Sequence, residues 1–224
     1  MPVVRIESSS GGEIPALLNA MSTDQLAKMQ TDDVAAITTS QLVALKTAKI
    51  SALTTAQMVG LTSDQIASLT TAQLASLTTA QLAKIETGDI AAMTTAQIVS
   101  LSKSQVAALT TAQVVALSTD QVSVLTTAQL ISLTSAQLAK METDDLVALS
   151  TAQIRSLTSA QLSYLTSDQI SSLETVDIAA LTNAQVKALS TSQLSGFTDD
   201  QITALTTSQQ SALSTAQKTV LGLS

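Results

Sequence analysis

The sequence has no cysteine, no histidine and no tryptophan, and its 224 residues include one tyrosine, one phenylalanine and two prolines. Each gap removes a class of chemistry. Acid–base and nucleophilic catalysis near neutral pH draws mainly on His, Cys or an activated Lys. Two of these are missing, so an enzyme is not expected and no catalytic residue stands out. Metal centres built on imidazole or thiolate are excluded for the same reason, and no cofactor site is legible. Bases are few: 10 Lys and Arg against 17 Asp and Glu give a net charge of −7. The bases are scattered singly, whereas nucleic-acid binding needs clusters that displace counterions, so nucleic acid is not an expected partner. No apolar run approaches the roughly 20 residues of a membrane span. The opening MPVVRIESSSGG lacks the basic and apolar regions of a secretory signal, and the absence of cysteine suits either side of a membrane.

What is present is 45% hydrophobic and dominated by aliphatics, Ala, Thr, Ser and Gln. It is also periodic. From Met21 to Val220 the chain runs in 25 consecutive octads without an insertion or deletion, typified by Leu69-Thr-Thr-Ala-Gln-Leu-Ala-Ser76. Position one is apolar in all 25 octads, and position six fails only at Gln210 and Lys218. Positions four, seven and eight are mostly small.

Positions two and five form a Ser/Thr-x-x-Gln pair, the spacing of a capping box. A hydroxyl at the helix N-cap accepts a backbone N–H, and Gln three residues on reaches back to the N–H of the cap; the apolar residues at positions one and six then flank the helix start as a hydrophobic staple. Every octad thus carries a helix-start signal, and the start of the next octad forbids a long helix. Positions two and five also vary together. Twenty octads have Ser or Thr with Gln; the other five pair Gln30 with Asp33, Lys46 with Lys49, Glu86 with Asp89, Glu142 with Asp145 and Glu174 with Asp177. All five keep Thr at position three, which predicts that the cap moves one residue along and that Asp complements the helix N-terminus.

A helix of about six residues does not persist alone in water, so the units must stack. The expected fold is all-α: a solenoid of very short helices, of either hand, with one helix per octad. A β-solenoid with threonine ladders is the alternative, disfavoured because Ala, Gln and Leu prefer helix and strands prefer β-branched and aromatic residues. One continuous helix fails, because the apolar stripe would drift by about 80° per octad.

The expected organisation is a flexible tail over residues 1–12 and a single octad-repeat solenoid over 13–224. The degenerate unit Glu13–Ala20, with Pro15 suited to a first helical turn, and the polar Gln210 and Lys218 look like finishing units. A longer rhythm overlies the octads: acidic variants begin at Met29, Ile85 and Met141, seven octads apart, after Lys28, Lys84 and Lys140. It fits either duplication of a seven-octad block or a superhelical turn of seven octads.

Candidate sites are weak. Asp32-Asp33 and Asp144-Asp145 could attract Ca²⁺, but no EF-hand or nonapeptide calcium loop surrounds them. Acids at helix starts are expected for the dipole alone. Tyr164 and Arg155 could mark a binding patch. The Thr and Ser rows at positions two and three could face a glycan or an ice lattice, although capping explains them without a ligand. Met21, Met29, Met58, Met93 and Met141 occupy apolar slots and need only a core-filling role.

The text Leu-Thr-Thr-Ala-Gln-Leu-Ala-Ser-Leu-Thr-Thr-Ala-Gln at 69–81 resembles repeat tracts of large bacterial surface and secreted proteins, adhesin-like or haem-utilisation-like and often type I secreted. That resemblance covers residues 21–220. It implies a stalk or spacer at the cell surface or outside the cell, with no ligand residues to carry over. The expected function is a non-enzymatic structural or interaction protein, a rigid spacer or scaffold. A module presenting hydroxyl rows, or a self-assembling filament subunit, are the alternatives, and the protein or surface partner is unspecified.

Overall fold

The computed structural model describes residues 13–223. Every octad from Met21 to Val220 contributes one helix of four to six residues, from Thr23–Leu26 to Thr215–Val220, preceded by the eight-residue helix Glu13–Ala20. Among the described residues there is no strand, so the β alternative is not the fold. The helix-start signal in each octad and the abundance of Ala, Gln and Leu decide the matter locally. The tail over residues 1–12 lies outside the described residues.

Each helix begins at position three, and position two is its N-cap, in extended conformation at ψ of 147° to 164°. In twenty octads the Ser or Thr side chain accepts the Gln backbone N–H and the Gln side chain accepts the cap N–H. In the remaining five the expected shift of the cap does not occur. Gln30, Lys46, Glu86, Glu142 and Glu174 still stand at the N-cap, without a side-chain cap bond, and the helix still starts at Thr. The reason is energetic. A lost cap costs about 0.5–2 kcal/mol, whereas burying one Leu- or Ile-sized side chain stabilises by about 1.5–3 kcal/mol. Sliding the helix by one residue would disturb both flanking apolar positions, so the register wins.

Those positions form the core. Leu26, Ile50, Leu74, Leu138 and Ile178 at position six are fully buried, and position one is nearly so, as at Leu53, Leu77 and Leu149. Met29, Met58, Met93 and Met141 are buried among them, and Met21 is half-buried. In the last three octads Ile202, Gln210 and Lys218 at position six are half-buried.

The chain divides into two compact units, Met1–Leu117 and Ser118–Ser224. In each, a helix packs against the third helix along. Ser63–Ser68 packs on Thr87–Ala92 in the first unit and Ser159–Tyr164 on Asn183–Ala188 in the second. Side-chain bonds between successive passes join residues 25 to 31 positions apart, centred on 28. One circuit of the chain therefore takes about 28 residues, or three and a half octads.

The half-integer has two consequences. Successive circuits are staggered by half an octad, so position eight packs over position three of the circuit before. Ser76 Oγ donates to the Thr47 carbonyl at 3.3 Å, and a Cβ on Gly60 would lie 3.4 Å from the Cβ of Thr31. Small residues at position eight permit that approach. Seven octads then complete two circuits rather than one turn, so within the first unit Lys28 and Lys84 fall on the same side, two circuits apart.

Candidate functional site

The feature that recurs through both units is a line of buried glutamines. From Gln41 onward the position-five Gln of every ordinary octad is 8% exposed or less, although a primary amide is costly to bury without partners. Both ends of the amide are satisfied. In Gln73, Oε1 accepts the Thr70 N–H at 2.9 Å, closing the capping box within the octad. Nε2 donates to the carbonyls of Leu42 at 3.0 Å, Val43 at 3.3 Å and Leu45 at 2.8 Å, on the preceding circuit. Gln193 does the same in the second unit, donating to Leu162 at 2.8 Å and Leu165 at 2.7 Å. These carbonyls belong to the end of one short helix and the turn after it; those of Leu42 and Leu162 also accept the N–H of Leu45 and Leu165. Among the described residues no buried side-chain nitrogen or oxygen lacks a partner.

Sequence reasoning found the capping half of the glutamine and missed the donating half. A signal was available. Glu serves a capping box as well as Gln does, yet Glu never occupies position five. Where position two carries the cap hydroxyl, position five is always Gln, a group that both accepts and donates.

The variant octads show what happens when the cap hydroxyl is gone. Lys49 Nζ donates to the Met21 carbonyl of the circuit before, taking over the inter-circuit donor role of the amide. The aspartates reverse the polarity: Asp89 accepts the Ser63 hydroxyl at 2.6 Å and Asp145 accepts the Thr119 hydroxyl at 3.2 Å. Asp145 is 4% exposed. Burial pushes its carboxyl above the ordinary aspartate range; the Thr119 hydrogen bond works against that, and the nearby charges of Glu142 and Asp144 add to it.

Asp32 and Asp144 are exposed, Asp33 is half-buried and Asp145 is buried; among the described residues no three acidic side chains gather in a way that could hold a metal ion. Tyr164 is 48% exposed and Arg155 is exposed, in neighbouring octads. The hydroxyl rows do not stack circuit on circuit, because the half-octad stagger places position eight over position three. Among the described residues no helix is long and apolar enough to cross a membrane.

No curated protein matches the chain. The model of a repeat family described as the ALTTAQ repeat matches residues 34–71, 82–119, 107–135, 138–175 and 170–207. These segments fall in both units and together take in well over half of the sequence, and each carries the capping pair and the glutamine described above. The chain belongs to the ALTTAQ repeat family.

Proposed function

We propose that this is a non-enzymatic structural protein, a solenoid of short helices that serves as a rigid spacer or scaffold. The observation that carries this reading is how the polar repeat is used. The group that recurs from octad to octad within the chain is the Gln amide, and it is buried and consumed in joining one circuit to the next. What the repetition preserves is therefore a geometry; the Thr and Ser hydroxyls at position two that recur with it serve the caps. A bacterial surface or secreted setting rests on the sequence resemblance alone.

Length is the property to test. Duplicating Met29–Lys84 in place, once, twice and three times in the full chain, adds whole blocks of seven octads, or two circuits each. Packed helices lie about 8–10 Å apart, so each block should lengthen the particle by about 16–20 Å in small-angle scattering. Equal increments support a stiff spacer. Increments that shrink with each added block would refute it, because a flexible chain grows only as the root of its length.

A further inference from the structure

Once the circuit is known to take about 28 residues, the scattered charges sort themselves. In the second unit Arg155, Lys187 and Lys218 lie on successive circuits: Gln185 Nε2 donates to the Arg155 carbonyl at 3.0 Å, and Gln217 Nε2 donates to the Lys187 carbonyl at 3.1 Å. The first two are exposed and Lys218 is half-buried. Arg155 and Lys187, both at position seven, form a column of positive charge; Lys218, at position six, lies to one side of it. The acids make another. The Met141 carbonyl, next to Glu142, accepts from Gln169, next to Asp168, at 2.7 Å. The Leu173 carbonyl, next to Glu174, accepts from Gln201, next to Asp200, at 2.8 Å. Glu142, Asp144, Asp168, Glu174 and Asp200 are all exposed, with Lys140 the single base on that side.

The two columns face opposite ways. Arg155 stands midway along the chain between Glu142 and Asp168, and Lys187 stands midway between Glu174 and Asp200. The flanking acids in each case are stacked on one another, one circuit apart, so the base between them lies close to half a circuit from both.

We infer that the basic side of the second unit is a docking surface for the acidic side of the same unit in a second copy of this chain. Charge complementarity supplies the attraction, and the register comes without further design because both columns advance by one circuit per step. The net charge of −7 opposes association at long range, but near 0.1 M salt charges more than about 10 Å apart are screened, which leaves the facing columns dominant. Because the two sides are different surfaces on opposite faces, the contact is heterologous and does not close on itself. Association should run past a dimer into lateral arrays.

Sedimentation velocity on the full chain tests this. In about 0.05 M salt the weight-average mass should climb with concentration above the 23.0 kDa of one chain without a plateau, and in about 0.5 M salt it should return to one chain. The variant Arg155→Glu/Lys187→Glu should stay at one chain in low salt, and so should Asp168→Lys/Asp200→Lys. An equimolar mixture of the two should associate, because each then offers what the other lacks. Circular dichroism checks that both variants keep their helix content, and either one alone with the wild type provides a readout should the other fail to fold. A wild type that stays at 23.0 kDa throughout overturns the proposal. So does association that survives high salt or the Arg155→Glu/Lys187→Glu change, which would point to an apolar or end-to-end contact.

Discussion

Gln73 allows the two halves of its amide to be separated by substitution. It is 2% exposed, with Oε1 on the Thr70 N–H and Nε2 on three carbonyls of the circuit before. Gln73→Glu keeps the capping acceptor and replaces the donor with a second oxygen aimed at the carbonyls of Leu42 and Leu45. The Leu42 carbonyl keeps the Leu45 N–H, but loss of the amide donor at the Leu45 carbonyl costs about 1–3 kcal/mol and a carboxylate forced against carbonyls adds desolvation, so the loss should reach about 3 kcal/mol or more. Gln73→Lys does the opposite. It loses the cap acceptor, worth about 1 kcal/mol, and keeps a donor of the kind that Lys49 already provides to the Met21 carbonyl. Urea unfolding followed by circular dichroism gives both values, and hydrogen exchange at the Leu42–Leu45 circuit shows whether the damage is local. The Glu variant should also recover part of its stability in acid, since the protonated carboxyl can donate again; burial raises its pKa, so the penalty is largest at neutral pH and shrinks as pH falls. If Gln73→Lys proves as costly as Gln73→Glu, the amide acts mainly as a cap and the inter-circuit donor is not what holds the stack.

Three further outcomes follow from the packing. Asp145 has a raised pKa, so its contribution to stability is present below its unfolded value of about 3.9 and is lost as pH rises through its folded value; Asp145→Asn should raise the urea midpoint near pH 7, and a gain of equal size at pH 3 would contradict the assignment. Gly60→Ala should stabilise by about 0.4–1 kcal/mol, because its backbone is helical at φ −81° and a Cβ there meets the Thr31 Cβ at an ordinary 3.4 Å. Gly196→Ala should gain less, because its Cβ would sit 3.3 Å from the Ser167 carbonyl oxygen, and thermal midpoints rank the two. Leu74→Ala, at a fully buried position six, should cost about 2–5 kcal/mol; Val115→Ala, at a position seven that is 38% exposed, should change stability by less than about 0.5 kcal/mol, and equal effects would mean the core was misplaced.

The local structure was legible because its causes are local. The Thr70–Gln73 spacing encodes a cap within one octad, and Leu69 and Leu74 encode burial on either side of it. What could not be read was anything that links Gln73 to Leu42. The octad period is silent about how many octads make a circuit, and for that reason the seven-octad rhythm is open to a reading as one superhelical turn when it spans two circuits. The displaced cap expected at Glu86 and Glu142 failed for a related reason: the local preference was judged without the neighbouring circuits that hold the register. The opposed columns containing Arg155 and Asp168 are visible in the sequence only after the circuit length is known.

The half-octad stagger also sets how the array comes apart. The Gln57 amide donates to Leu26, near the end of one octad, and to Met29, which opens the next. It lies across a joint, like a brick in running bond, and each such amide ties two units beneath it. A single octad therefore cannot detach as an independent thermodynamic unit, because releasing it breaks ties to two octads below and exposes a joint between two above. One-dimensional descriptions of repeat proteins take the repeat as the element that folds or unfolds. Here the ties cross octad boundaries, so the interior of the array should open in steps longer than one octad, which single-molecule pulling on the full chain checks.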